Sequence, residues 1–274
     1  MRIEKNLQDQ LAHKFQDTGK EKAKILEQLA TGKRINRASD DAAGLAVAKE
    51  FDKQVRAYRN ASENIQAGMN ALNIADAGAG TIQEMLQRQR ELAIQGANGA
   101  YGENERNALD KEFQSLSQEI DRISKSTNFN GQNMLDGSSK LSDGTGKIQA
   151  GSDQDDTVTL SAANLSLNAL SLQSEMLKSP ESALLAMASI DAAMRQVNSS
   201  RAEQGSLANR LEYALSNNQN QAINTTKALS NVEDLDFAKG LTEKIRNDIL
   251  QGSQAAAISQ FNQLSRNHLL ALLR

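Results

Sequence analysis

The chain has 274 residues, a formal net charge of −3, a single Pro, no Cys or Trp, and only 3% aromatic residues. The missing Cys excludes disulfides, thiolate metal ligands and a cysteine nucleophile, and two His are too few for a His-rich metal site. A single Pro favours long uninterrupted helices, because Pro breaks helix interiors.

No apolar run reaches the roughly 18 residues of a membrane helix, and residues 1–10 lack the apolar segment of a secretory signal. We therefore expect neither membrane insertion nor a cleaved signal peptide. Basic side chains are concentrated near both ends, but they are mixed with acids along amphipathic patterns. This mixture argues against nucleic-acid binding.

The first predicted helix covers residues 3–30. Its apolar side chains recur at the spacing of one helical face: Ile3, Leu7, Leu11, Phe15, Ala23, Leu26, and Leu29 or Ala30. The face is narrow, so this helix would be marginal without a partner.

Residues 31–41 interrupt the helical pattern. Gly32 is placed to end the first helix. Ser39 is the predicted N-cap of the next helix, with Asp40 and Asp41 in its first turn, where the helix dipole favours acids. We interpret this acidic pair as capping rather than metal binding.

The second predicted helix carries the strongest pattern in the chain, a seven-residue repeat typical of a coiled-coil seam. One series is Phe51, Tyr58, Ile65, Leu72 and Ala79, and the alternate slots are Val55, Ser62, Met69 and Asp76. The pattern continues to about Gly96. A third helix, with Leu109, Phe113, Leu116, Ile120 and Ile123 at alternating spacings of four and three, is predicted to pack against it in antiparallel orientation.

Residues 127–173 have a different pattern. Asn130-Gly131 and Asp136-Gly137 are turn dipeptides. Residues 147–150 and 157–160 alternate as short strands do, so a small β-hairpin region is predicted here.

The fourth helix is predicted to begin at Pro180, with Ser179 as its cap. Two seven-residue series follow, one from Ile190 through Val197, Gln204, Leu211, Asn218 and Thr225 to Val232, the other Met194, Arg201, Ala208, Leu215, Ala222 and Leu229. Their polar members indicate a seam shared with other chains or one that sets register. A last amphipathic segment runs from Leu235 to the end.

The residue patterns that usually mark an active site are missing. The sequence has no phosphate-binding glycine loop, no His-Glu-x-x-His motif and no nucleophile elbow. Asp155-Asp156 is interpreted as a solvated turn rather than a calcium site. Weakly amphipathic ends that flank a long helical centre need partners, and such contacts propagate into rings or filaments. The pattern therefore favours a self-assembling structural protein, without cofactor or metal, over an enzyme.

The sequence also resembles bacterial flagellin, in motifs that follow the same order along nearly the whole chain. They are LATGKRINRASDDAAGLAV (29–47), LQRQRELAIQ (86–95), EIDRI (119–123), FNG (129–131), LDG (135–137), KIQAG (147–151), QGSLANRLE (204–212) and LLALLR (269–274).

The resemblance implies a mainly α fold, with a terminal coiled-coil domain called D0 and a long helical rod with a β-hairpin region called D1. Residues 1–42 would be the N-terminal D0 helix and its connector, 43–178 the N-terminal part of D1, 179–235 the C-terminal D1 helix, and 236–274 the C-terminal D0 helix. The variable outer domains of the family would be missing.

The implied function is the structural subunit that polymerises into the extracellular flagellar filament, the helical propeller for swimming. Export would use the flagellar type III route with an uncleaved signal. The implied partners are other copies of the chain, an export chaperone, the cap protein and the hook-junction proteins.

The resemblance also implies three groups of site residues. The polymerisation arms would include Leu7, Leu11, Phe15, Ile245, Ile249, Leu269 and Leu272. The junction between D0 and D1 would include Arg34, Asn36, Asp40 and Asp41. A surface that contacts neighbouring subunits, or an innate-immune Toll-like receptor, would include Arg88, Leu92 and Glu112.

Two alternatives remain from the sequence. A hook–filament junction protein has flagellin-like ends, although the signature at residues 34–44 disfavours it. A secreted coiled-coil protein that binds a partner without polymerising would need the same helices. An enzyme is disfavoured, because no convergent set of titratable groups is present.

Overall fold

The computed structural model describes residues 2–139, 146–173 and 176–272, without the side chains of residues 2–5, 7, 265 and 267–272. Within these ranges the chain forms five helices and four short strands: α1 (Arg2–Thr31), α2 (Ala42–Gly96), α3 (Glu103–Ser126), β1 (Asn128–Phe129), β2 (Gln132–Asn133), β3 (Lys147–Gln149), β4 (Thr157–Thr159), α4 (Pro180–Glu233) and α5 (Phe237–Leu272). The predicted mainly α fold is confirmed.

The chain packs as two compact units. The terminal unit comprises Met1–Lys53 with Asn224–Arg274, and the central unit comprises Gln54–Ile223. The predicted borders at 42/43 and 235/236 fall beside the helix breaks at 32–41 and 234–236, whereas the units divide within α2 and α4. The division into D0 and D1 stays a prediction.

In the central unit, α2 buries one continuous seam. The predicted positions Ile65, Leu72, Ala79, Leu86 and Ala93 are all buried. Phe51 and Tyr58, which begin this series, are half-buried. Of the alternate slots, Val55 is buried as predicted. The other three were wrong by one residue: Ala61, Gly68 and Ala75 are buried, while Ser62, Met69 and Asp76 are half-buried.

Close packing explains this shift in the seam of α2. A Cβ atom on Gly68 would overlap Ile148 Cδ1 and lie 3.4 Å from Leu211 Cδ1. Small residues let neighbouring side chains approach the helix axis, so packing density selects Gly68 over the larger Met69.

Helices α3 and α4 complete the core of the central unit. Phe113 and Ile120 of α3 are fully buried, and the other predicted α3 positions are half-buried against the same core. On α4 the first predicted series is buried from Ile190 to Asn218, whereas Thr225, Val232 and the whole second series are half-buried.

The start of α4 matches its prediction. Pro180 is the first helical residue. The Ser182 amide donates to Ser179 Oγ at 3.1 Å, and the Ser179 amide donates to Ser182 Oγ at 2.9 Å. This reciprocal pair is a capping box with Ser in the place of the usual acid.

Two small hairpins lie between α3 and α4. Strands β1 and β2 are joined by Asn130-Gly131, whose φ angles of 50° and 75° suit the primed turns of tight hairpins. Strands β3 and β4 pair antiparallel, with Ile148 opposite Val158. The predicted β-hairpin region is confirmed.

In the terminal unit, α1 packs along α5. The inward face of α1 comprises Leu11, Phe15, Thr18, Lys22, Ile25 and Leu29, all buried or half-buried. The predicted members Ala23, Leu26 and Ala30 are exposed instead, because α5 presents polar partners that draw Thr18 and Lys22 inward. None of the described helices is long and apolar enough to cross a lipid bilayer.

Candidate functional site

The segment between α1 and α2 lies against the segment between α4 and α5, in the terminal unit. Gly32 ends α1 with a φ of +72°, a conformation that glycine adopts without strain. Its carbonyl accepts from the Leu235 amide at 2.9 Å, and the Arg34 amide donates to the Glu233 carbonyl at 2.7 Å. Backbone hydrogen bonds therefore hold the two helix breaks together.

Side chains reinforce this contact from both segments. The Arg34 guanidinium donates to the Val232 carbonyl at 2.7 Å and lies 3.9 Å from the Asp41 carboxylate. Lys33 pairs with Glu233 at 2.7 Å. Ile35 is 1% exposed, so an apolar side chain fills the space under these charges.

Asp40 organises the turn before α2. One of its carboxylate oxygens accepts from the amides of Asn36 and Arg37 at 3.2 and 3.0 Å, and the other lies 2.8 Å from Lys24 Nζ. The Lys24 ammonium, followed by the Arg37 amide, lowers the pKa of the Asp40 carboxyl.

The cap of α2 differs from the prediction. Asp41 Oδ1 accepts from the Gly44 amide at 2.8 Å, and the Asp41 carbonyl accepts from the Leu45 amide. The N-cap is therefore Asp41, two residues after Ser39, whose side chain is exposed. Asp40 likewise lies before the helix and holds the turn. The structure thus brings Arg34, Asn36, Asp40 and Asp41 together in one hydrogen-bonded segment.

Polar contacts form the seam between α1 and α5. Lys22 Nζ lies 2.7 Å from Asp248, which also pairs with Lys244 at 3.0 Å. Gln251 accepts from Lys22, and Gln254 donates to Thr18 Oγ1 at 3.2 Å. The two ammonium groups, Lys22 first, lower the pKa of the Asp248 carboxyl. Charge and hydrogen bonds therefore join the two helices, beside the buried Ile25 and the half-buried Leu11 and Phe15 of α1.

Four apolar residues in the first half of α5 point outward, whereas Ile258 and Phe261 farther along the helix are half-buried. Phe237, Leu241, Ile245 and Ile249, which we call the α5 stripe, recur every four residues with exposures of 59, 51, 49 and 67%. Phe237 was missed in the sequence, although its spacing of four from Leu241 would have shown it. Of the other predicted arm residues, Leu11 and Phe15 are half-buried, and the side chains of Leu7, Leu269 and Leu272 lie outside the described residues.

The third predicted group lies in the central unit. Arg88 Nε and Nη2 donate to Glu112 Oε1 at 2.9 and 2.7 Å, and Nη1 donates to Glu91 at 3.0 Å. Glu112, followed by Glu91, raises the pKa of Arg88. Leu92 is 0% exposed, so the prediction that its side chain lies on this surface was wrong. It belongs to the inward seam of α2, one residue before Ala93.

The chemistry of the described residues is that of contacts, not of catalysis. Among them no three His, Asp or Glu side chains come together in a way that could hold a metal ion. Asp155 and Asp156 lie exposed in the turn between β3 and β4. The distinctive features are the hydrogen-bonded helix breaks and the exposed α5 stripe.

Comparison with known proteins agrees with this geometry. Residues 4–140 match the family described as the bacterial flagellin N-terminal helical region, and residues 187–273 match the bacterial flagellin C-terminal helical region. The chain is 35% identical to the flagellar filament 33 kDa core protein of Treponema phagedenis, with 92% of each chain covered. It is also 35% identical to a flagellin of Halalkalibacterium halodurans over 88% of each chain, and 32% identical to Bacillus subtilis flagellin over 92% of each.

A solved structure gives the same result. The crystal structure of Bacillus cereus flagellin aligns with a TM-score of 0.51 at 35% identity, over 57% of this chain and 88% of that one. The chain belongs to the bacterial flagellin family. It is a structural subunit of the extracellular flagellar filament, it assembles with other copies of itself, and it is not an enzyme.

Proposed function

We propose that the α5 stripe forms the main polymerisation contact of this filament subunit. The observation that carries the proposal is the orientation of the first half of α5, where Asp248 pairs with Lys22 of α1 while the α5 stripe is exposed. Contiguous exposed apolar surface favours association, because burial removes it from water. Leu7, Leu11, Phe15, Leu269 and Leu272 would extend the contact along both arms.

Seeded polymerisation tests this assignment. Monomers of Ile245→Ser/Ile249→Ser are added to fragments of parent filaments, and elongation is measured by light scattering and electron microscopy. Both positions are at least 49% exposed, so the monomer should keep its helix content. We expect elongation to be lost or strongly slowed.

A matched control is Tyr213→Ser, which changes a side chain that is 78% exposed in the central unit. It should elongate at the parent rate. Parent-like elongation of the α5 variant, or of a chain without residues 236–274, would overturn the proposal.

We further propose that the hydrogen-bonded segment around Arg34, Asn36, Asp40 and Asp41 is the junction between D0 and D1. Its support is the set of contacts that join residues 32–41 to residues 232–235. Such a junction would bring both arms together, so that they enter the polymer as a pair. Arg34→Ala should slow elongation and leave the α5 stripe itself unchanged.

Partners other than copies of the chain follow from the same surfaces. The α5 stripe needs a cover before assembly, which suits an export chaperone, and its delivery would use the type III flagellar route. Cap and hook-junction proteins would meet the same arms at the filament ends. The exposed Arg88–Glu112 pair suits a contact with a neighbouring subunit or with a Toll-like receptor. Arg88→Ala in a receptor reporter assay distinguishes these two partners. Loss of the receptor signal would indicate the receptor, and an unchanged signal would indicate the neighbouring subunit.

The alternatives have less support. The relatives at 32–35% identity are flagellins and filament core proteins. Neither a hook–filament junction role nor a secreted coiled-coil binder is favoured by a described contact.

A further inference from the structure

The central unit contains a cavity, open to solvent and lined by both apolar and polar residues, that its own core does not fill. Its volume is about 410 Å³, and it lies between α2 and the two hairpins. The lining includes Gly68, Ala71, Phe129, Ile148 and Leu160. Lys147 belongs to the same lining and is exposed, so the cavity carries a positive charge beside its apolar residues. The remaining polar part of the lining is uncharged: Asn64, Asn130, Gln132 and Gln149.

A complementary protrusion lies at the beginning of α4. Leu184 and Leu185 are 58 and 69% exposed, while their neighbours Ala183 and Ala186 are fully buried. The inward face of α4 is therefore occupied by alanines, and the two leucines point away from the core. Glu181 is exposed three and four residues before them, which places a carboxylate on the same side of the helix.

The cavity and the protrusion of one chain cannot meet each other. Gly68 of α2 lines the cavity, and Gly96 of α2 adjoins Ala183, since a Cβ there would lie 3.4 Å from the Ala183 Cβ. The 28 residues between the two glycines span about 42 Å of helix at 1.5 Å per residue. Only a second copy can bring such a protrusion to this cavity.

We propose that the Leu184–Leu185 pair of one copy inserts into this cavity of another copy, with Glu181 facing Lys147. The occupant is a second copy because the chain is a filament subunit and because apolar and charged partners are both present on one chain. Cavity and protrusion are different surfaces, so the contact is heterologous and builds an open filament rather than a closed dimer. The inference rests on the filament function, but it concerns a contact of the central unit and not the α5 stripe.

Disulfide trapping tests the contact. Because the chain has no Cys, every disulfide that forms must involve the introduced residues. Ala67→Cys, at an exposed lining position, and Leu184→Cys are purified separately, copolymerised one to one under reducing conditions with parent seeds, and then oxidised. Covalent dimers are expected in the mixed filaments and not in filaments of either variant alone. Tyr213→Cys replaces Leu184→Cys in the control mixture. Dimer yields no higher than in the single-variant filaments or the control would overturn the proposal.

Charge exchange gives a second readout. Glu181→Lys and Lys147→Glu should each slow seeded elongation roughly tenfold, because like charges then meet at the contact. The double variant should regain most of the parent rate. Parent-like rates for both single variants, or no recovery in the double variant, would contradict the contact. Failure here together with loss of elongation in the α5 variant would leave the polymerisation arms as proposed and remove only this inference.

Discussion

The two units of the chain use long helices in opposite ways. In the central unit the seams of α2 and α4 are apolar and buried, with Ile65, Ile190 and Leu211 all at 0% exposure. In the terminal unit the seam between α1 and α5 combines ion pairs with partly buried apolar side chains, and the α5 stripe is outside. The central unit therefore contains its own core, while the terminal unit leaves apolar surface for other copies.

This difference predicts unequal stability within one monomer. Hydrophobic burial contributes roughly 25 cal/mol per Å², and it acts throughout the central core. Partly exposed ion pairs such as Lys22–Asp248 contribute much less, because solvent screens them and ordering two long side chains costs entropy. We expect the terminal unit to open more readily in the monomer, and assembly to supply the missing burial.

The largest effect should come from the central core. Phe113→Ala removes a fully buried ring and should lower the free energy of unfolding by about 3–5 kcal/mol. Ile249→Ala, at a position 67% exposed, should change it by less than about 0.5 kcal/mol. Denaturant unfolding of the monomer measures both changes. Equal losses of unfolding free energy in the two variants would contradict the difference between the units.

A weak point lies inside the central core itself. Among the described residues, both amide atoms of Gln204 are buried without a hydrogen-bond partner. Unpaired buried polar groups cost about 1–3 kcal/mol, so Gln204→Leu should raise the free energy of unfolding by about that amount. Gln204→Ala, which leaves a cavity, is the control. If the Leu variant is no more stable than the parent, Gln204 has a partner in solution, such as water.

The cap of α2 gives a smaller and sharper comparison. Asp41→Ala should cost about 0.5–2 kcal/mol, because it removes the acceptor for the Gly44 amide. Ser39→Ala, at the residue that the sequence favoured, should have almost no effect. Thermal unfolding of the two variants distinguishes the caps, and a larger loss in the Ser39 variant would restore the original prediction.

The smallest effect is the acid response of the terminal unit. Two lysines lower the pKa of Asp248 in the folded chain, so its contribution to stability is fully present above the unfolded pKa of about 4. That contribution is lost as the pH falls through the lower folded pKa. Asp248→Asn should remove this part of the acid transition, measured by circular dichroism between about pH 5 and 2. An unchanged acid profile would mean that the pair adds nothing to stability.

Two errors in the predicted helix faces share one cause. The period of each helix was correct, but one face has several possible members, and composition alone favoured the larger apolar ones. Met69 was preferred to Gly68, and Leu26 to Ile25, although packing buries the second of each pair. Leu92 was assigned to a surface by the family resemblance and not by its spacing. Neighbouring positions on a helix differ by about 100°, and only the partner helices decide which is inside.

The sequence by itself determined the helical period, the end of α1 before Gly32 and the beginning of α4 at Pro180. It also determined the hairpin turn at Asn130-Gly131 and the family motifs. These are local properties, set by backbone conformation and by spacing along the chain. Only the tertiary structure decided that Asp41 caps α2, that polar groups join α1 to α5, and that the α5 stripe is exposed. The last two outcomes depend on side chains more than 200 residues apart in sequence, as in the pair of Lys22 and Gln251, because burial is a property of the packed chain and not of any segment alone.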